Sequence, residues 1–325
     1  VQNTGYLKYF DLIPYRDGFM LLLPEQQYPE HVAPFHDREK LAEVLSETEG
    51  WGRQLEVPTV GALDDVICKG KISELILMQE ALMEKKIGDI GMLSNIIENH
   101  DMARGATIYI PDEDYGFASI SALAGLQVLQ RGMPFLYQGQ EIGMTNTRFE
   151  DISEYDDINT INEYNLAIEA GKTKEEAMDI CYKHSRDNGR TPMQWSGEKN
   201  AGFTTGTPWL KVNPLYAQCN VREQEKDNNS VLNYYKKLIA LRKNEKYADL
   251  FVYGKTTPIF MDKDNVFAYK RVFEGKEILV VANFGQEDIT LEMEKEYQVL
   301  LNNMEECEMA NNKLVIKSTQ ALVLK

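Results

Sequence analysis

One unit, running from Met92 to Glu141, restricts the fold more than any other part of this sequence. An apolar run (Met92, Leu93, Ile96, Ile97) ends abruptly in Glu98-Asn99-His100-Asp101. It reads as a buried strand with polar groups at its C-terminal tip. A polar loop through Tyr109 to Asp114 follows. Phe117 to Leu129 then carries apolar residues at 117, 120, 123, 124 and 128, the spacing of an amphipathic helix. Gly132 stops that helix, and Met133 to Tyr137 reads as a second strand, ending in Gln138-Gly139-Gln140-Glu141. Strand, helix and strand at this spacing form a parallel βαβ unit, because parallel neighbours need a long crossover and not a tight hairpin. Both strands place polar residues at the same edge of the sheet, where parallel α/β folds hold their ligands.

Beyond this unit the periodicity changes. Ser230 caps a helix that runs to Lys243, with Val231, Tyr235, Leu238 and Ile239 on one face. From about residue 246 the period becomes two. Short strands are predicted over Val266 to Val272, Glu277 to Ala282, Ile289 to Met293, Gln298 to Leu301, Lys313 to Ile316 and Ala321 to Leu324. A turn at Phe273-Glu274-Gly275-Lys276 joins the first two. Regular short strands with turns between them make an antiparallel β-sandwich, and 325 residues suit about two domains.

The segments around the unit carry weaker signals. Leu7 to Pro14 and Phe19 to Leu23 read as strands about a Tyr15-Arg16-Asp17-Gly18 turn. Helices are predicted over Asp37 to Ser46 and Ser73 to Lys86, and Val57 to Val60 as a proline-weakened strand. Between Asn146 and Ser185 the chain reads as mostly helical and acidic, with a capping box at Thr173-Lys174-Glu175-Glu176 and Gly171 ending the helix before it. The acidic cluster Glu150 to Asp157 is expected to be a solvated face. Arg186 to Trp195 and Asn200 to Trp209 form a loop-rich stretch with two tryptophans. Aromatic faces beside Arg and Asp suit sugar rings, and a packed surface loop has the same composition.

A net charge of −16 opposes non-specific nucleic-acid binding, and no basic run is visible, so no nucleic-acid partner is expected. No apolar run is long enough to span a bilayer, and no signal peptide is visible, so no membrane association is expected. Cys68, Cys181, Cys219 and Cys307 are scattered and show no metal spacing. They are expected to be reduced thiols in the cytoplasm. His31 and His36 read as solvated loop histidines, so neither a metal nor another cofactor is expected. Nothing in the sequence specifies an oligomeric state.

From Asn99 onward the chain resembles the α-amylase superfamily, glycoside hydrolase family 13, in its oligo-1,6-glucosidase and α-glucosidase branch. The resemblance rests on Glu98 to Asp101 followed by Arg104, on Tyr137 to Asn146, on Arg186 to Trp195, on Asn200 to Pro214 and on Tyr234 to Ile239. It implies an α/β fold: the C-terminal portion of a (β/α)8 barrel, truncated or remodelled, followed by an antiparallel β-sandwich. The domains expected are residues 1–98, a remodelled N-terminal region; 99–245, the last βα units with a helical insertion; and 246–325, the sandwich. It implies a retaining hydrolase of terminal α-glucosidic bonds in short α-glucans, with a small oligosaccharide as partner. Asp101 would stabilise the transition state, and His100, Arg104, Asp187 and Arg190 would bind the sugar. The family's nucleophile motif is not found, and Ala62 falls where its acid would stand. The calcium-type loop and the first Asn-His are also absent. A whole barrel needs ~250 residues, and residues 1–98 cannot hold six ordinary βα units. A non-catalytic sugar- or partner-binding relative, or an inactive gene fragment, is the alternative.

Overall fold

The computed structural model describes residues 11–15, 18–22, 94–263 and 265–325. The helices expected at 37–46 and 73–86 and the strand at 57–60 lie outside the described residues. Contacts divide the chain into two units, Val1–Met92 and Leu93–Lys325. In the first, β1 (Asp11–Tyr15) and β2 (Gly18–Leu22) pair antiparallel, with Tyr15 opposite Gly18. The hairpin expected about Tyr15 to Gly18 is present.

In the second unit, β3 (Ser94–Asn95) pairs in parallel with β4 (Met133–Pro134). The parallel βαβ unit is therefore present, with strands shorter than the apolar runs predicted. Side-chain amides extend the grip of these short strands. Gln127 donates to the Asn95 and Phe135 carbonyls at 3.0 and 2.7 Å, and Asn95 donates to the Arg131 carbonyl at 3.3 Å. Gln127 belongs to α2 (Phe117–Leu129), which follows the one-turn α1 (Gly105–Ile108). The limits of α2 match those expected, but its character differs. Ser119 to Leu129 are all buried, so this is a core helix and not an amphipathic one. One side meets α7 (Val231–Lys243), and another meets strands of the sandwich.

The C-terminal end of α2 is held by two arginines. Arg242 of α7 donates to the Val128 and Gln130 carbonyls at 2.7 and 3.1 Å. Arg271 of the sandwich donates to the Leu129 carbonyl at 3.3 Å and to those of Leu250, Phe251 and Gly254 at 3.0–3.2 Å. The last carbonyls of a helix have no partner within it and carry its negative end, so buried cations suit them.

The insertion contains α3 (Ile158–Glu169) and α4 (Lys174–His184). Thr173 and Glu176 form the expected capping box, and Gly171 adopts φ +86° after α3. Farther on come α5 (Asp187–Arg190), α6 (Val221–Gln224) and α8 (Ala248–Tyr253). The last is a short helix where the sequence suggested only strands. It packs on the strand Val266–Phe273 and offers the carbonyls that Arg271 takes.

The sandwich follows: β5 (Lys255–Pro258), β6 (Val266–Phe273), β7 (Lys276–Asn283), β8 (Ile289–Glu292), β9 (Val299–Asn302), β10 (Glu308–Ala310), β11 (Lys313–Ile316) and β12 (Ala321–Leu324). Its sheets run β5-β6-β7-β12-β9 and β10-β11-β8, with every pairing antiparallel. Glu274 and Gly275, both at positive φ, turn β6 into β7. Val266, Leu279, Val281, Leu291, Leu314 and Leu322 fill the space between the sheets. Ile278 to Asn283 are buried on both faces of β7, because α2 covers the outer one. That is why its residues run buried without a break, a departure from the period of two expected there.

Candidate active site

The site grows from the turn after β3. Asn99 accepts the Asp101 amide on its side-chain oxygen at 2.7 Å, and its carbonyl takes the Met102 amide at 3.3 Å. This is an Asx turn, the local preference of asparagine. It lifts His100 and Asp101 to the surface, where their side chains are 70% and 50% exposed. Their side chains meet at 3.2 Å between Nε2 and Oδ2.

Arg190, at the end of α5, comes across to this turn. Its Nη2 donates to Asp101 Oδ1 at 2.8 Å, and its Nε to the His100 carbonyl at 2.9 Å. Arg186 Nη1 lies 3.6 Å from the same Asp101 oxygen. Two guanidiniums thus converge on one carboxylate. Gly189 makes the approach possible: a Cβ there would lie 2.7 Å from the Met102 carbonyl oxygen and 2.8 Å from that of Asn99.

Arg104 and Asp187 lie behind this surface, and neither has accessible area. Arg104 donates to the carbonyls of Gln138, Asn188 and Gly189 at 2.6, 3.1 and 3.4 Å, so it ties the two strand tips to α5. Its own amide donates to Asn146 Oδ1 at 2.7 Å, and Tyr137 Oη donates to the Gly189 carbonyl at 2.9 Å. Asp187 Oδ2 accepts the amides of Asp156 and Asp157 at 2.8 and 2.9 Å, while its Oδ1 lies 3.8 Å from Arg190 Nη1. Of the five residues singled out in the sequence, His100, Asp101 and Arg190 therefore share the rim. Arg104 and Asp187 underlie it.

The acidic cluster corrects one expectation. Asp157 is buried, not solvated, and both of its oxygens take hydrogen bonds from Arg186. Burial alone would raise its carboxyl, but the Arg186 and Thr160 hydrogen bonds outweigh burial and hold it at about 2. Asp151 caps the turn Ile152–Glu154 and pairs with Lys174 at 2.7 Å. The acid-rich loop thus supports Arg186, a site neighbour that the reading of the sequence had not singled out. A signal was available in the spacing Asp157 to Thr160, an N-cap pattern at the start of α3.

The tryptophans divide. Trp209 is 67% exposed, and its indole N–H donates to Asp156 Oδ2 at 2.9 Å, next to Asp157 and Arg186. Trp195 is half exposed, and its backbone is bonded to Ala201 and Arg222. A cleft of about 260 Å³ lined by Tyr115, Phe117, Cys219 and Ser230 contains none of the rim residues. No group of His, Cys, Asp and Glu able to hold a metal ion occurs among the described residues.

Comparison with known proteins gives the same order of segments. The model for the α-amylase catalytic domain matches residues 67–252, and that for the C-terminal domain of the α-amylase SusG matches residues 266–323. An oligo-1,6-glucosidase of Bacillus cereus is 37% identical over 263 residues, which is 78% of this chain and 47% of that protein. An oligo-1,6-glucosidase of Halalkalibacterium halodurans is 44% identical over 201 residues, 62% of this chain and 35% of that one. Among solved structures, trehalose-6-phosphate hydrolase of Bacillus licheniformis aligns with a TM-score of 0.71 at 33% identity, covering 78% of this chain and 46% of its own. Isomaltulose synthase of Protaminobacter rubrum aligns at 0.70, also with 33% identity, covering 80% and 49%. The chain spans about half the length of the relatives it matches.

Proposed function

Since the chain belongs to the α-amylase family, with the C-terminal portion of its (β/α)8 domain followed by an antiparallel β-domain, we propose that it is the sugar-holding half of an α-glucosidase. The reaction is hydrolysis, with retention, of terminal α-glucosidic bonds in short α-glucans, of the oligo-1,6-glucosidase type. The observation that carries this reading is the rim itself. One half-exposed carboxylate, Asp101, is held by Arg190 at 2.8 Å beside His100 at the tip of a parallel strand pair.

In this reading Asp101 does not attack. Its free lone pairs accept from two adjacent sugar hydroxyls, and His100 donates beside it. Such contacts strengthen as the ring flattens toward an oxocarbenium-like transition state. Arg190 orients Asp101 and offers its remaining donors to the sugar. Arg104 and Asp187 contribute from behind by fixing the strand tips and α5. Trp209 supplies an aromatic face near the rim. The pair of carboxyl groups that a retaining glycosidase needs, nucleophile and acid/base, is assigned to none of the described residues. Asp17, Asp64 and Asp65, the first candidates within this chain, lie outside them.

Location in the cytoplasm is part of the proposal, and the free thiols of Cys181, Cys219 and Cys307 support it. Among the described residues no helix is long and apolar enough to cross a membrane.

The test is isothermal titration with isomaltose alongside release of p-nitrophenol from the aryl α-glucoside. Binding in the range of roughly millimolar is expected, since contacts and bond-breaking groups are separable. Turnover is expected to stay near that of Asp101→Asn, because groups that act as a unit fail together. Binding with no turnover favours the non-catalytic relative as the role of this chain alone. Robust turnover abolished by Asp101→Asn places a nucleophile in residues 1–98. Absence of sugar binding removes the proposal.

A further inference from the structure

Glu98 is a buried carboxyl that the rim does not use. It directly precedes Asn99 and is 2% exposed. Its Oε2 accepts the amide of Gly105 at 2.8 Å. Gly105 opens α1, so this bond closes the loop on whose outer arm Asn99 to Arg104 lie. Asp101, the His100 carbonyl that Arg190 takes, and the buried Arg104 all hang on that arm.

Charged and titratable groups reach Glu98 from each element packed around it: Arg104 from the loop, Glu141 from the turn Gln140–Ile142, and Tyr235 from α7. A cavity of about 10 Å³ touches it, lined also by Ile97, Gln140, Met144 and Tyr235. That is room for about one water. Burial pushes the Glu98 carboxyl up to about 7, against the pull of Arg104 and the Gly105 amide, and Glu141 adds to the rise.

We propose that Glu98 is a positioning residue for Asp101: its carboxylate tethers the 99–105 loop to the end of β3, and the tether slackens when Glu98 takes up a proton. A carboxylate accepts an amide hydrogen bond more strongly than a neutral carboxyl does. It also balances the buried guanidinium of Arg104, which a neutral acid leaves without that counter-charge. The Asx turn passes the loop's position to Asp101 through the 2.7 Å bond from the Asp101 amide. The proposal deepens the functional reading above and rests on it for the sugar alone.

Two effects of pH run in opposite directions, and this separates a tether from a merely structural acid. A carboxyl raised in the folded state contributes stability below its unfolded value, which is lost as pH rises through about 7. The tether, by contrast, tightens as pH rises through the same value. Glu98→Gln keeps an acceptor for Gly105 and removes the titration. Hydrogen exchange of this chain, corrected for intrinsic rates, reads the tether directly. Protection of the 99–105 amides is expected to rise about tenfold from pH 6 to pH 8 in the unaltered chain, the worth of charging one hydrogen bond. It is expected to stay level in Glu98→Gln, whose melting temperature above pH 7 equals or exceeds that of the unaltered chain. Amides of Ala122 to Val128 serve as the fold control and show no rise in either chain, since global stability does not increase over this range. An equal rise in Glu98→Gln, or no rise in the unaltered chain, overturns the proposal. Isomaltose titration of the same samples keeps the two readings apart. A pH-dependent loop without sugar binding leaves the tether standing and removes the function. Sugar binding over a pH-independent loop does the reverse.

Discussion

In β7 of the sandwich, Ile278 to Asn283 are buried on both faces. In the strand pair β3 and β4 the neighbouring side chains fare otherwise: Met133 is 53% exposed, Phe135 48%, and Ile96 and Leu136 are little less open. Both regions are apolar in sequence. The sandwich draws all of its strands from one continuous segment, β5 to β12, so it closes its own core. A barrel strand needs neighbours along both edges, and among the described residues β3 and β4 pair only with each other. The site sits on the less enclosed of the two regions. Stability should therefore depend on the sandwich and its joint with α2, and affinity on the rim.

The largest expected effect tests that division at the joint. Arg271 is fully buried and reaches carbonyls of α2 and α8. Arg271→Ala leaves several buried acceptors short of a donor and opens a void. It is expected to cost about 3 kcal/mol or more in urea denaturation followed by tryptophan fluorescence. A loss below about 1 kcal/mol would mean that sandwich and helix do not share one cooperative unit.

Acid should then weaken the support behind the rim. The Asp157 carboxyl is held at about 2 in the folded chain, below its ordinary value near 3.9. A group depressed in this way contributes stability above the unfolded value and loses it as pH falls through the folded one. The contribution is of the order of 2 kcal/mol for two units of difference. Denaturation midpoints of the unaltered chain and Asp157→Asn should differ at pH 5 and converge by about pH 2. A gap that persists unchanged at pH 2 would show that the side chain acts through packing and not charge.

Gly189→Ala comes next. Its methyl group would meet two backbone carbonyls that have little freedom to move, those of Met102 and Asn99. Overpacking of this kind costs about 1–3 kcal/mol. Because the clash pushes on the loop carrying Asp101, sugar affinity should fall as well. Weaker stability with unchanged affinity would separate the loop's position from recognition.

The sequence made some of this legible and hid the rest for a physical reason. The limits of α2 and α7 and the Thr173 capping box follow from caps and periodicity, which act within a few residues. The rim pairing of Asp101 with Arg190 could be expected only through family resemblance. The burial of Arg104 was beyond local patterns, because its acceptors at Asn188 and Gly189 are 84 and 85 positions away. Asp157 was misread for the same reason: an acidic run looks solvated until Arg186, 29 positions on, folds over it. The short β3 and β4 show the opposite limit. Their apolar runs promised longer strands, yet among the described residues the backbone pairs for only two residues each.

The smallest expected change in stability belongs to the residue with the largest expected role. Asp101 is half exposed, and its partners Arg190, Arg186 and His100 remain partly in water. Exposed ion pairs contribute a few tenths of a kcal/mol, because solvent screens the attraction and two long side chains lose freedom in making it. Asp101→Asn should thus shift the urea midpoint by less than about 0.5 kcal/mol equivalent, and added salt should erase even that. The same substitution should abolish isomaltose binding, since an amide replaces one of the two oxygens that accept from sugar hydroxyls with a donor. A stable variant that no longer binds sugar would assign Asp101 to recognition. A variant that loses both stability and binding would mean that the two guanidiniums need this carboxylate to hold α5 in place, and recognition would then pass to Arg190 and His100.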